Sequence, residues 1–284
     1  MLQFNNKLYY WIMQMKKIII NADDFGYSKE NNEAIKEGYS SGIITSTSII
    51  PTADFFEDAI TNTFSTIPSI DIGVHLNIIE GRSLTNQSML CDKNGFFNNS
   101  YLKLILKSQN KEFQKQIETE FRAQIEKVKK HCKITHLDSH VHTHAIPAIF
   151  DITVKLAEEY NIKYVRTQNE KPYIVLNKSF NLKFATNILK NILLNLFSFI
   201  NKKKLKNTSD FFIGVLYTGF MDEETILKGL KKIKKENSIT EIIFHPTVNK
   251  NKTENYREFL ITQNSKLKEE LKNLGYTLVK RKDL

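Results

Sequence analysis

Eight short apolar runs, each followed by a longer amphipathic or polar stretch, set the tightest limit on what this chain can fold into. The runs are KIIIN (17–21), IITSTSII (43–50), IDIGVHL (70–76), KITHLD (133–138), IKYVRT (162–167), FFIGVLY (211–217), TEIIFH (240–245) and YTLVKR (276–281). Their length and their content of β-branched and aromatic residues fit strands. Between them, SKENNEAIKEGYSSG opens with a serine able to cap a helix and closes at a glycine. KEFQKQIETEFRAQIEKVKK spaces Phe113, Ile117, Phe121, Ile125 and Val128 at helical intervals. Residues 146–160, 185–200, 222–236 and 255–274 read as helices too. Strands alternating with helices imply βα units and a mostly parallel sheet. The pattern predicts a (β/α) barrel, distorted or with fewer closed strands than eight. A doubly wound open sheet is the alternative.

The 284 residues suit one large α/β domain, read here as 15–284, without internal repeats or a proline-rich linker. Residues 1–14 read as an extension without fixed structure. Its apolar part, LYYWIMQM, is too short to span a bilayer and is followed by no small-residue cleavage site. In the absence of a targeting signal the expected location is cytoplasmic. Cys91 and Cys132 cannot build a disulfide framework, which agrees with a reducing compartment. The net charge of +10 raises the question of nucleic acid, but the lysines are spread along helices and no nucleic-acid-binding motif is present. The stretch ATNILKNILLNLFSFINKKKLK, 185–206, reads as a core-facing helix with a solvated lysine end; the sharper alternative is an interfacial helix touching anionic lipid. A homo-oligomer is compatible with the sequence. The irregular stretch 80–110 is of the kind that covers a site in such folds.

Residues that do chemistry gather where the strands end. KIIIN runs into Asp23 and Asp24, IDIGVHL carries His75, KITHLD leads to His140, IKYVRT holds Arg166, and TEIIFH ends at His245 before Pro246. In a parallel barrel all strand C-termini share one face, where active sites form. Five such ends are hard to explain by packing, because buried charge without a partner costs several kcal/mol.

The densest of these segments is HLDSHVHTH, which places His136, Asp138, His140, His142 and His144 at alternate positions. Read as a strand, all five share a face, with neighbours about 6.5–7 Å apart. At most two can then reach one ion, so further ligands must come from other strands. Asp24, His75 and His140 supply one carboxylate and two imidazoles, a set that can hold a divalent cation and leave positions open. Zinc suits imidazole ligands and magnesium prefers oxygen; the residues alone leave the ion open. The pair Asp23–Asp24 suits a division of labour, one acid on the metal and one as a base. The plainer reading of that pair is a cap for the helix that follows. His131, in the lysine-rich KVKKHCK, is expected to be solvated.

IINADDFGYS, GVHLN, THLDSHVHTH and EIIFHP, in this order, resemble the YdjC-like carbohydrate deacetylases, from about Lys16 to the C-terminus. The resemblance implies a TIM-barrel-like fold, a divalent metal (usually described as magnesium, with zinc also discussed) and removal of an acetyl group from an N-acetylated sugar. It implies Asp24, His75 and His140 as metal ligands, Asp23 as base and His245 as acid. Arg166 follows by analogy with the broader polysaccharide deacetylases, where an arginine orients the base. His136 and His140 match those enzymes' HxxxH spacing by number, which keeps His136 as an alternative ligand in place of His75. Asp138, His142 and His144 are expected to support the metal ligands or to meet sugar hydroxyls. No motif stands out over 170–240. The competing readings are a metal-dependent hydrolase of another bond, such as a phosphoester or cyclic amide, and a non-catalytic sugar- or metal-binding barrel.

Overall fold

A computed structural model describes residues 16–176, 178, 181–205 and 207–284. The extension read over 1–14 lies outside the described residues. The strands are β1 (Lys16–Phe25), β2 (Ser46–Ile49), β3 (Asp71–Leu76), β4 (His136–Ser139), β5 (Tyr164–Val165), β6 (Phe211–Ile213), β7 (Ile239–Phe244) and β8 (Tyr276–Leu278). Their helices are α1 (Lys29–Ser40), α2 (Tyr101–Lys107), α3 (Lys111–Lys129), α4 (Pro147–Glu159), α5 (Leu182–Asn201), α6 (Glu223–Lys231), α7 (Thr253–Thr262) and α8 (Ser265–Asn273), with single turns left unlabelled.

All pairings between these strands are parallel, in the order β5-β4-β3-β2-β1-β7-β6. Read as a circle, that order follows the chain without reversal, as a barrel requires and a doubly wound sheet does not. β8 pairs with the N-terminal end of β1, from Lys16↔Tyr276 to Ile18↔Leu278, whereas β2 pairs higher, from Asn21 to Phe25. The seam between β5 and β6 carries no ladder. It is bridged just beyond β5, where Phe212 N–H donates to the Asn169 carbonyl (3.0 Å) and Asn169 Nδ2 donates to the Asp210 carbonyl (2.6 Å). The result is a distorted barrel of seven strands.

β1 explains how the two faces differ. Ile18, Ile20 and Ala22 join the apolar layer between strands and helices, while Asn21 and Asp23 point inward. The barrel interior is polar: Asn21, Ser46, Ser48, His136, Asp138, Arg166, Glu241 and Arg281 are all buried. Gly73 makes room for this filling, since a Cβ there would lie 2.3 Å from His136 Nε2.

Several elements differ from expectation. The run 255–274 is two helices, because Asn264 interrupts it and caps the second, accepting from the N–H groups of Lys266 (2.9 Å) and Leu267 (3.2 Å). The strands predicted at 43–50, 162–167 and 211–217 shrink to four, two and three residues. HLDSHVHTH is strand only as far as Ser139; beyond it a tight turn runs over His140–Ala145, with Val141 at φ 53° and His142 at φ 56°. The one-face reading of the five side chains therefore fails after His140. The 80–110 region is pinned to α3 by Glu120, which accepts from Ser83 Oγ (2.6 Å) and from the N–H groups of Leu84 (3.1 Å) and Thr85 (3.0 Å).

Candidate metal and catalytic site

Adjacent residues of a strand point to opposite faces, so Asp23 and Asp24 should not both reach one site. A bulge solves this. The β1–β2 register slips between Ala22 and Phe25, and Asp24 adopts φ 65°. A left-handed aspartate is strained by about 1 kcal/mol or more, and it turns the Asp24 carboxylate back over the strand ends. Asp24 is not a helix cap; Ser28 fills that role, its Oγ accepting from Asn31 N–H at 3.2 Å.

Asp24, His75 and His140 lie together, each offering a ligand atom within 4.8 Å of the others. His75 Nδ1 meets Asp138 Oδ1 at 2.8 Å, and since an ionised carboxylate only accepts, that nitrogen carries the proton. The other nitrogen, Nε2, faces Asp24 Oδ1 at 3.7 Å and Asp23 Oδ2 at 4.0 Å. A carboxylate behind the imidazole is the usual support for a metal-binding histidine and leaves Nε2 as the ligand atom. His140 stands between Asp24 Oδ1 and Glu80 Oε2, 3.1 Å from each. Burial opposes its protonation, but the two carboxylates raise its pKa above the ordinary value. Burial would likewise raise Asp24, yet the neighbouring imidazoles, His140 first, hold it well below the carboxylate range.

A second group, Asp23, His75 and Asp138, is equally tight and fully buried. It differs in holding its own cation. Arg166 Nη1 lies 2.8 Å from Asp23 Oδ2, and Nη2 lies 2.8 Å from Asp23 Oδ1 and 2.7 Å from Asp138 Oδ2. Arg166 Nε reaches Glu241 Oε1 at 2.8 Å, and Arg281 Nη2 lies 2.5 Å from the same oxygen. Burial opposes the charge on Arg166, but Asp138, Asp23 and Glu241 together hold it well above the usual arginine value. The guanidinium already counters Asp23 and Asp138, which leaves the Asp24 group as the one a metal would neutralise. Its donor set fits a divalent cation.

Both groups border a cavity of about 300 Å³, lined by Asp23, His75 and His140 on one side and by His245, Val215 and Leu193 on another. That size is the small end of ordinary ligand sites. His245 is part-exposed, with Nδ1 3.5 Å from Glu258 Oε2, and its backbone N–H donates to the same oxygen at 2.5 Å. Burial lowers the His245 pKa, but Glu258 outweighs it and carries the imidazole up to about 10.

The remaining histidines divide by burial. His142 borders the cavity, with Nδ1 3.3 Å from Gln168 Nε2, and burial and then Arg166 keep it neutral. His144 has no exposed surface; its Nε2 donates to the Arg166 carbonyl (3.1 Å), and its Nδ1 accepts a hydrogen bond from Ser139 Oγ (2.6 Å). Burial lowers its pKa to about 4. It props the end of β5, out of reach of a sugar hydroxyl, which corrects the expectation for this residue. His136 lies inside the barrel, 3.0 Å from Ser48 Oγ and 2.9 Å from Thr135 Oγ1, and outside both metal-capable groups. The alternative that it replaces His75 is thereby set aside. His131 is exposed, as expected.

Sequence reasoning did not find Glu80, Glu241, Glu258 or Arg281. Glu80, Glu258 and Arg281 lie outside the quoted motifs, and Glu241, though it opens EIIFHP, meets Arg166 only across 75 residues. The 170–240 region also enters the site, through Lys190, Leu193, Val215 and Thr218.

Fold and site together define a distorted (β/α) barrel with a carboxylate–imidazole group, able to hold a metal ion, at the C-terminal rim of its strands. The family model described as YdjC-like protein matches residues 17–275, and the chain belongs to that family. Curated relatives named carbohydrate deacetylase include one from Brevibacillus brevis, 38% identical over 51% of this chain and 57% of the relative. One from Oceanobacillus iheyensis is 29% identical over 73% and 87%, and one from Thermoanaerobacter pseudethanolicus 28% over 82% and 81%. The matched part spans only 57% and 63% of the Brevibacillus brevis and Clostridium beijerinckii relatives. Among solved structures, an Enterococcus faecalis protein described as a candidate cellobiose-phosphate cleavage protein superposes with a TM-score of 0.74. The match has 24% identity and covers 95% of this chain and 98% of that one, which establishes the shared fold.

Proposed function

We propose that the protein is a metal-dependent carbohydrate N-deacetylase that hydrolyses the acetamido group of an amino sugar to acetate and the free amine. The observation that carries this reading is the pairing of a metal-capable group with a separate, arginine-held carboxylate across His75 Nε2, which faces Asp24 at 3.7 Å and Asp23 at 4.0 Å. Asp24, His75 and His140 would hold the ion. Two imidazoles and one carboxylate favour zinc over magnesium. When bound, a divalent cation polarises an amide carbonyl and lowers the pKa of water beside it.

Asp23 takes the proton from the attacking water as oxygen adds to the amide carbon. Arg166 and Asn21, whose Nδ2 donates to Asp23 Oδ1 at 2.7 Å, keep that carboxylate in one orientation. His245, charged at neutral pH through Glu258, passes a proton to the departing nitrogen, which would otherwise be a poor leaving group. Asp138 fixes the His75 tautomer. The curated relatives' description as carbohydrate deacetylases favours a sugar substrate over a phosphoester or cyclic amide.

The test is acetate release from a panel of N-acetylated mono- and oligosaccharides, after removing metal and adding back single ions. Asp23→Asn should retain bound metal and lose about 10²–10⁴ in kcat. Full activity of that variant on every accepted sugar would remove Asp23 from the role of base.

A further inference from the structure

The helix α5 carries apolar residues on both of its faces. On the buried face Phe184, Leu194 and Phe197 join the core, and asparagines lie among them: Asn187 Nδ2 donates to the Thr218 carbonyl (2.9 Å), Asn191 Nδ2 to Glu170 Oε2 (3.0 Å) and Asn201 Nδ2 to the Ala145 carbonyl (2.7 Å). Asn195 adds a bond to the Glu170 carbonyl at 2.9 Å. Glu170, wholly buried, in turn accepts from the N–H groups of Gly214 (3.0 Å), Val215 (2.9 Å) and Leu216 (2.9 Å), so this face is locked to the barrel by polar bonds. The outward face is apolar. Leu182, Leu189, Ile192, Leu196, Phe199 and Ile200 are 42–85% exposed. Their intervals of seven, three, four, three and one draw a single stripe along the helix. A soluble surface rarely keeps so continuous an apolar stripe without a use for it.

The charges beside the stripe indicate what covers it. No acidic residue occurs between 182 and 206. Lys183 pairs with Glu254 and Lys204 with Asp151, whereas Lys190, Lys202 and Lys203 have no carboxylate partner among the described residues. The ammonium groups of Lys202 and Lys203 sit 5.6 Å from the Phe199 ring, at the end of the stripe. A second copy packed face to face would bring two acid-free, lysine-edged helices together. Crossing a bilayer is excluded for this helix, since none of the described helices is long and apolar enough. An apolar stripe with a basic edge on a non-spanning helix matches the chemistry of an anionic bilayer surface.

We propose that the outward face of α5 docks on an anionic lipid surface, with Leu189, Ile192, Leu196 and Phe199 entering the interfacial layer and Lys202 and Lys203 meeting acidic headgroups. The same helix lines the cavity through Lys190, Leu193 and Leu194, so docking brings that cavity up to the bilayer.

The test is co-sedimentation of the full chain with vesicles of equimolar phosphatidylglycerol and phosphatidylcholine, against phosphatidylcholine alone. The expected result is binding to the anionic vesicles, weaker binding to the neutral ones, and release as salt rises. Ile192→Glu combined with Leu196→Glu should reduce binding at least tenfold while leaving the thermal midpoint unchanged, because both side chains are solvated. Lys202→Ala and Lys203→Ala should cost about fivefold each. Leu260→Glu, on the exposed side of α7, should have no effect. Failure to sediment with anionic vesicles at low salt would overturn the proposal, as would undiminished binding by the double glutamate variant. A concentration-dependent dimer in sedimentation velocity that the two glutamates dissociate would assign the face to a second copy instead.

Discussion

The barrel holds two groups of acids and histidines that share one imidazole, and they solve the same electrostatic problem differently. At the rim, Asp24 lies with His75 and His140, the two of them lining a cavity, and no arginine or lysine pairs with this group among the described residues. Beside it, Asp23, which also lines the cavity, and the buried Asp138 and Glu241 are neutralised by Arg166, with Arg281 beneath. The second group carries a fixed guanidinium counter-charge; the first is countered by imidazoles alone, which can give up their protons to a cation. Gathering carboxylates is therefore not enough to define a metal site. What distinguishes the two is whether the counter-charge is an arginine or an imidazole that can bind metal.

The comparison can be broken most decisively by chelation. Removing metal should abolish acetate release, by at least about 10³-fold, and zinc should restore it, while the far-ultraviolet spectrum stays unchanged because the arginine-held network needs no ion. Turnover that survives exhaustive chelation would erase the distinction. The next largest effect is on stability. Arg166→Met removes the guanidinium from the buried Asp23 and Asp138, with Glu241 keeping only Arg281, and should cost about 3–5 kcal/mol, a Tm fall of roughly 10 °C. His140→Ala at the part-exposed rim should cost far less, with metal stoichiometry as its readout. Equal losses of stability in the two variants would contradict the difference drawn here.

Asp138 joins the two groups, so Asp138→Asn sharpens the comparison. It should weaken metal affinity by about 10–100-fold through loss of the His75 support, measured by competition with a chromogenic chelator. The smallest effect is a shift in pH profile. Activity that needs protonated His245 falls as pH rises through its pKa, so the alkaline limb lies high. Glu258→Gln removes the group that holds the imidazole up to about 10 and should move that limb toward neutral pH. In stability terms the sign agrees: a histidine raised in the folded state stabilises fully below its unfolded pKa of about 6.5, and that contribution is lost as pH rises through the folded value. An unmoved limb in Glu258→Gln would separate His245 from proton delivery.

Much of this site was legible in one dimension. The alternation of apolar runs with helical spacing pointed to a mostly parallel sheet in βα units, and the strand order then decided for a barrel over a doubly wound sheet. Strand ends carrying Asp24, His75 and His140 had to converge, since parallel strands finish on one rim. The motif density at 136–144 marked the right strand but misled on its extent. Period two holds only while the backbone stays extended, and Val141 and His142 leave that conformation.

Only the tertiary structure decided which acids keep their own counter-ion. Arg166 meets Asp23 across 143 residues and Glu241 across 75, separations that leave no trace in local spacing. The same holds for the bulge that turns Asp24 beside Asp23, and for the helix that buries asparagines among its core residues while leaving Leu189 and Leu196 exposed. Periodicity records how a segment repeats. Which face of that repeat meets the core, and whether a charge finds its partner, depends on the environment that distant segments build around it.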